Sequence, residues 1–416
     1  MELLTEENIL SIAEKRGFNK VLKCEQEDFP DKVAGFLGDH IKLFLDVEEN
    51  GTSSTLNLFV KCMPRFNEWR AQYIRDLGFF NKEYVMLSQL FNGFENGAGY
   101  RKWRPELLFI KENIFVFENV SFYGYVMPHN QITMDFEELK ASVETLARFH
   151  AQSFIYEERK SKELGRTYRI WEDYSEYLTE STDKTDWRDT GRNAVMDYLK
   201  IYSKYKTNIK PNFNRYIDSI LPGLFSEALE LMQPSKVYRN AVVHRDLWSN
   251  NILVKKERNS PPHVLFVDFQ TVIYTSPLLD LSSLIYFNTT RADRESWTDD
   301  LIEIYYAVLS EELQAVGIDI NKIFDKTSIR DAYEKSRLFG ITQAALIIPV
   351  TVMSKEQSEA IFCDPESARR ANVETRSQDF IDFAKKDEKY RARITELFDE
   401  IVERYVFPKS CRQVST

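Results

Sequence analysis

The chain has little of what would assign a protein to a special class at once. Its four cysteines (Cys24, Cys62, Cys363 and Cys411) are scattered singly, with no C-x-x-C pair. That pattern argues against a disulfide framework or a zinc site and favours a reducing compartment. No apolar run is long enough to span a membrane. The longest uncharged apolar stretch, "GITQAALIIPVTVMS", is too short and carries Pro349, so it reads as a buried helix or the end of one. The opening "MELLTEENIL" is acidic and lacks the basic-then-apolar order of a signal peptide. Repeats and low-complexity segments do not stand out. Positive charge is in deficit: 55 Lys and Arg against 65 Asp and Glu give a formal net charge of -10. Such a balance disfavours a nucleic-acid partner held through its phosphates. The expectation is a cytoplasmic protein with no membrane span and no obligate protein partner.

What is present fits a globular chain. Its 416 residues are 43% hydrophobic and 29% charged, with 29 Phe, 21 Tyr and 6 Trp. That length allows two or three domains, or two lobes sharing one active site. In the first 120 residues Ile41, Leu43, Leu45 and Val47 alternate with Lys42, Phe44 and Asp46, a strand pattern. Asn50-Gly51 is a hairpin-turn signal, and Leu56, Leu58 and Val60 mark the returning strand. From Phe66 to Phe91 the apolar spacing becomes helical through Trp69, Tyr73, Leu77, Phe80, Tyr84 and Leu87. "LLFI" and "NIFVF" then predict a second hairpin over residues 107–117. Beyond residue 125 helices dominate. Asp135 with Glu138 resembles a capping box opening a helix that carries Leu139, Val143, Leu146 and His150. The end of the chain, from Tyr390 to Tyr405, again has helical spacing.

One stretch breaks this pattern. In "AVVHRDLWSNNILV" two core-like apolar runs bracket groups that are costly to bury without partners. A strand, "NILV", follows, then the turn "KKERNSPP" and the strand "HVLFVDF". Pairing of that hairpin predicts that Asp246, Asn251 and Asp268 come together. Asn251 and Asp268 offer the hard oxygen ligands that magnesium prefers, and magnesium takes few protein ligands. Asp246 is then free to accept a proton, with His244 orienting the loop. The competing reading is that Asp246 and Asn251 are turn residues bonding their own backbone. The joint pattern H-x-D-x-x-x-x-N, apolar strand, Asp268-Phe269 favours the chemical one.

This constellation resembles the catalytic core of the protein-kinase-like superfamily. In detail it is similar to the ecdysteroid-kinase-like (choline-kinase-like) family, relatives of choline kinases and aminoglycoside phosphotransferases. The motifs "FVKCMP", "FENV", "LARFHAQSF", "HRDLWSNNILV" and "VDFQ" fall in that family's order, over roughly residues 30 to 405. The resemblance implies an α+β, bilobal protein-kinase-like fold. Residues 1–120 would form a β-rich nucleotide-binding lobe and 121–416 a helical lobe carrying the catalytic loop and acceptor region. It further implies ATP and magnesium as cofactors. Asp246 would be the catalytic base, His244 the loop anchor, and Asn251 and Asp268 the metal ligands. Lys61 would hold the α- and β-phosphates with Glu83 as its ion-pair partner, unless Lys61 is an ordinary solvated strand lysine. Glu118, Asn119 and Val120 would form the hinge for adenine. The phosphate-covering loop would lie at "KVAGFLGDH", with Gly35 and Gly38, although a plain turn explains either glycine.

Three features depart from the family pattern or bear on substrate. Arg245, the protein-kinase choice, stands where the family more often has Gly; Gln270 stands where protein kinases have Gly, although Gln is common in this family. Asp268 is followed almost at once by "PLLDL" and no A-P-E appears downstream, which leaves little room for a peptide platform. Asp280 in that motif either braces the catalytic loop or caps a helix. The acceptor expected is therefore a small molecule, an ecdysteroid-like or xenobiotic alcohol. Trp171, Tyr174, Tyr177, Trp187, Tyr305 and Tyr306 would wall its site or serve as ordinary core. A catalytically idle, kinase-shaped binding protein for apolar ligands is the rival, with a choline- or aminoglycoside-type kinase and a protein kinase behind it. The idle form would be marked by loss of Lys61, Asp246, Asn251 or Asp268, and all four are intact.

Overall fold

The alternating residues that predict the first hairpin do build it. The computed structural model describes residues 3–28, 38–66, 68–128, 133–180, 186–206, 212–362 and 364–408. The chain begins with α1 (Glu6–Lys15), whose Thr5 and Asn8 form a reciprocal capping box. Three antiparallel strands follow, β1 (Lys20–Asp28), β2 (Asp39–Glu49) and β3 (Thr52–Cys62). Ile41, Leu43, Leu45 and Val47 are all buried, and Asn50 and Gly51 take the positive φ that a tight two-residue hairpin turn demands (51° and 78°). Helices α2 (Glu68–Leu77) and α3 (Phe79–Ser88) come next. The sequence spacing predicts one helix here; Gly78 divides it, at a left-handed φ of 68° that an α-helix cannot continue through. Strands β4 (Leu107–Lys111) and β5 (Ile114–Glu118) complete a five-stranded sheet in the order β1-β2-β3-β5-β4. Ile12 and Ala13 of α1 close its core against β2, β3 and β4.

Then α4 (Phe136–Leu164) opens on the expected box, with the Glu138 N–H donating to Asp135 at 2.8 Å and the Asp135 N–H donating to Glu138 at 3.2 Å. It is followed by α5 (Trp171–Leu178), α6 (Asp186–Tyr202), α7 (Phe213–Glu230) and the short strand β6 (Ala241–Val243). The hairpin β7 (Ile252–Lys255) and β8 (His263–Phe266) pairs Ile252 with Phe266. Strand β9 (Ile273–Thr275) returns to pair with β6. The remainder is helical: α8 (Leu278–Asn288), α9 (Arg291–Gln314), α10 (Ser328–Thr351), α11 (Lys355–Phe362), α12 (Pro365–Arg369), α13 (Ser377–Lys386) and α14 (Glu388–Ile401). The fold is α+β, β-rich at the start and mostly helical afterwards.

These elements form two compact units, each discontinuous in sequence. The first joins residues up to His129 with Gln152–Arg169 and Asn250–Val272. It therefore holds the sheet, α1 to α3, the second part of α4 and the β7–β8 hairpin. The second comprises Asn130–Ala151, Ile170–Ser249 and Ile273–Thr416. Its core packs α6, α7, α10 and α14 through Tyr198, Leu221, Ile341 and Leu397, all buried. Each such side chain contributes about 1.5–3 kcal/mol when removed from water. Helix α8 is buried along its whole length against α10. A Cβ on Gly340 would lie 2.7 Å from the Ser282 hydroxyl, so only glycine permits that approach. The apolar stretch around Pro349 belongs to α10. Among the described residues no single helix is long and apolar enough to cross a membrane.

Candidate functional site

In the first unit, β3 carries Lys61 to its end and α3 presents Glu83 to it. Both side chains are buried, Glu83 almost completely. The Lys61 ammonium donates to Glu83 Oε2 at 2.5 Å and to Asp268 Oδ1 at 2.7 Å. Burial works against the ammonium charge, but the two carboxylates outweigh it and hold the Lys61 pKa well above its ordinary value. Burial likewise pushes Glu83 above the usual carboxylate range, against the pull of Lys61. The other oxygen of Glu83 accepts the Phe269 N–H at 3.0 Å. One glutamate thus ties the strand lysine to the backbone beside Asp268. Phe269 is fixed in turn by edge-on packing against Phe91 and Trp103, with ring centroids 5.3 Å and 5.6 Å away.

The β7–β8 hairpin sets the rest. The Val267 N–H donates to the Asn251 carbonyl at 3.1 Å, which brings the Asn251 and Asp268 backbones side by side. Asp268 has φ 70° and ψ 69°, a left-handed conformation that aspartate tolerates better than most residues. Its Oδ2 accepts the Gln270 amide at 3.0 Å. Hard oxygen donors from an aspartate and an asparagine, with the Gln270 Oε1 atom buried and unpartnered nearby, fit a magnesium ion that retains water. Among the described residues no three His, Cys, Asp or Glu side chains cluster as a metal cage.

Glu118, Asn119 and Val120 follow the end of β5. Glu118 is buried and bound by Lys102, Arg16 and the Glu106 N–H. Its own N–H donates to Glu106 and that of Asn119 to Asn57, both at 3.0 Å. Asn119 Oδ1 accepts the Ser121 N–H and caps the turn from Val120 to Tyr123. Two of the backbone donors expected to meet a base are thus engaged within the sheet. Gly38 immediately precedes β2, where Asp39 pairs with Cys62 of β3: an added Cβ would meet the Cys62 carbonyl at 3.1 Å and the Phe80 ring at 3.4 Å. Close approach explains this glycine. Gly35 lies outside the described residues.

The second unit holds the other half of the motif. The His244 and Arg245 N–H groups donate to the two oxygens of Asp280 at 2.5 Å and 2.6 Å. Asp280 is fully buried on the first turn of α8, makes no cap of its own helix, and meets His150 Nε2 at 3.2 Å. The brace reading of Asp280 therefore holds over the cap reading. His150 Nδ1 lies 2.9 Å from the Tyr305 hydroxyl, and burial raises the Tyr305 pKa well above that of an ordinary phenol. A neutral imidazole that gives its Nε2 proton to Asp280, already the acceptor of two backbone N–H groups, accepts the Tyr305 hydroxyl at Nδ1. The Asp246 N–H donates to His244 Nδ1 at 3.4 Å. Arg245 has φ 72°, the conformation for which glycine is the relaxed choice. Its guanidinium meets Glu180 at 2.8 Å, and Arg188 meets the same carboxylate at 3.0 Å. Of the aromatic residues singled out in the sequence, Tyr305 is buried and engaged, whereas Trp171, Tyr174, Tyr177, Trp187 and Tyr306 are partly exposed. Sequence reading missed the His150–Tyr305 relay, the Glu180 clamp and the Gln270 contact. The motif "LARFHAQSF" marked His150 only by its order along the chain.

The sequence matches the model of the ecdysteroid kinase-like family over residues 32–318. No curated protein matches the chain. Among solved structures it is similar to the GDP and kanamycin complex of the aminoglycoside phosphotransferase APH(2"), at 11% identity and a TM-score of 0.41. That match covers 93% of this chain and 99% of the other. A microcompartment-associated aminopropanol kinase is similar at 13% identity and a TM-score of 0.37, covering 94% of this chain and 99% of the other.

Proposed function

We propose that this chain, which belongs to the ecdysteroid kinase-like family, transfers the γ-phosphoryl group of ATP to a hydroxyl of a small alcohol. The observation that carries the reading is Lys61 bridging Glu83 and Asp268. A buried lysine fixed between two carboxylates from separate elements is an expensive arrangement for packing alone. It is well suited to a site that receives phosphates and a cation.

In this reading Lys61 contacts the α- and β-phosphates while Glu83 holds its position. Asp268 and Asn251 would hold magnesium, which would supply positive charge against the phosphates. Asp246 orients the acceptor hydroxyl and accepts its proton, with His244 and Asp280 fixing the loop that carries it. General-base help of this kind is worth about 10²–10⁴-fold. Positioning and electrostatics supply the larger share, because phosphoryl-transfer transition states are loose. A purine edge would be met by backbone carbonyls around Glu118 and Asn119 or by the Val120 amide, since the Glu118 and Asn119 N–H groups are engaged. The acceptor class is an ecdysteroid-like or xenobiotic alcohol, supported by family membership and by the partly exposed aromatics of α5, α6 and α9.

The test is untargeted. The protein is incubated with magnesium, γ-¹⁸O-labelled ATP and an extract of steroids and dietary metabolites, and mass spectrometry searches for labelled phosphate monoesters. A labelled product made by wild type and not by Asp246→Asn supports the reading. Equal product from both removes Asp246 as the base.

A further inference from the structure

We infer that Gln270 is a positioning residue for the metal site: it orients Asp268 and accepts a hydrogen bond from a water carried by the bound cation. The inference rests on the proposed nucleotide–magnesium reading and adds a residue to which that reading gives no role.

Gln270 is only 5% exposed. Its Nε2 donates to Asp268 Oδ2 at 3.0 Å, while the Lys61 ammonium holds Oδ1. The carboxylate is therefore fixed at both oxygens. The Gln270 Oε1 atom is buried and has no partner. Reversing the amide does not cure this, because it would set Oε1 against a carboxylate oxygen. The orientation is thus determined, and a buried acceptor remains within a few ångströms of the metal-binding aspartate. Buried acceptors are seldom left unmatched without a functional reason.

What can satisfy Oε1 is narrow. It is an acceptor, so a phosphate oxygen arriving with nucleotide alone offers it nothing. A water bound to a divalent cation is a polarised donor, and magnesium keeps several of its waters. Gln270 accordingly distinguishes the metal-loaded nucleotide from the metal-free one. Glycine at this position would supply neither contact.

The experiment measures binding of the non-hydrolysable analogue adenylyl imidodiphosphate by calorimetry, with excess magnesium and with EDTA. It uses wild type, Asp268→Asn, Gln270→Met and Gln270→Asn. Methionine keeps the length of glutamine without its amide; asparagine keeps the amide but shortens its reach and guards against a methionine variant that fails to fold. Loss of such an outer partner typically costs 10–100-fold in metal affinity. The expected result is that magnesium tightens binding to wild type. In both Gln270 variants that tightening should fall by about tenfold or more, with affinity in EDTA within about twofold of wild type. Magnesium tightening unchanged in the Gln270 variants but lost in Asp268→Asn overturns this inference and leaves the functional reading standing. Equal weakening with and without magnesium also overturns it, because that is the mark of a merely structural role. No magnesium effect in wild type removes both.

Discussion

Asp280→Asn tests how the loop before Asp246 is held. The wild-type carboxylate has no exposure to solvent and meets three groups: the His244 and Arg245 N–H at 2.5 Å and 2.6 Å, and His150 at 3.2 Å. Asparagine keeps the shape but offers one oxygen and one NH₂. Its oxygen is best placed toward His244 and His150, which share one carboxylate oxygen, so the NH₂ then faces the Arg245 N–H, donor against donor. One hydrogen bond to a carboxylate is lost, worth about 1.5–3 kcal/mol, and one buried N–H is orphaned at about 1–3 kcal/mol. The sum is roughly 2.5–6 kcal/mol. Arg245 is already at a left-handed φ of 72° and has little reason to stay there once released. For a chain of 416 residues the variant should melt about 3–7 °C below wild type. Urea unfolding gives the free energy directly, and the variant should lose phosphoryl transfer further than its folded fraction explains. A change of less than about 1 kcal/mol would refute the reasoning, because the two short bonds would then contribute little.

Other substitutions probe separate parts of the account. Asp246→Asn should leave nucleotide affinity within about twofold and lower transfer by at least the 10²-fold expected of a positioned base; near wild-type turnover contradicts its role. Arg245→Gly relieves a left-handed backbone, worth about 1–2 kcal/mol, but removes the guanidinium from Glu180. Glu180 is only partly buried and keeps Arg188, so the lost contact is worth about 1.5–3 kcal/mol and the variant should be less stable by up to about 2 kcal/mol; chemical denaturation showing a clearly more stable variant would make the clamp dispensable. Glu403 bonds Arg291, Tyr205 and Lys204, which hold its pKa down to about 2. A depressed carboxylate contributes stability above its unfolded value and loses it as pH falls through the folded one. The stability gap between wild type and Glu403→Gln, about 1–3 kcal/mol at neutral pH after allowing for screening, should therefore shrink as pH falls from about 4.5 toward 2. Urea titrations in which the gap stays constant with pH would show that its ion pairs are not the source.

Periodicity made the elements legible wherever one face is buried. The alternation from Ile41 to Val47 and the Asn50-Gly51 turn could be read from residues alone because burial enforces the first and positive φ the second. The break at Gly78 was less readable, since apolar spacing continues across it and a lone glycine inside a helical pattern is usually tolerated. Strand β1 was missed for the opposite reason: it is exposed along nearly its whole length and so carries no burial pattern. Chain order was enough to pair Lys61 with Glu83, but not to show that Asp268 shares the same ammonium from 207 residues away. The roles of Glu180, His150 and Tyr305 depend on helices meeting in space, and nothing in local sequence announces such meetings. Arg245 shows the limit most clearly. Its identity suggested a question about substrate, whereas its positive φ and the Glu180 contact reveal a backbone position held by a side chain.

The central claim is that the Lys61–Glu83–Asp268 network receives nucleotide phosphates. It is tested most directly by measuring ATP affinity in the presence of magnesium for wild type and Lys61→Gln, each confirmed folded by its melting curve. The account predicts that wild type binds and that the variant binds at least about tenfold more weakly, the loss of one charge-assisted contact. Equal affinity in the two proteins, or no ATP binding by wild type, would contradict it.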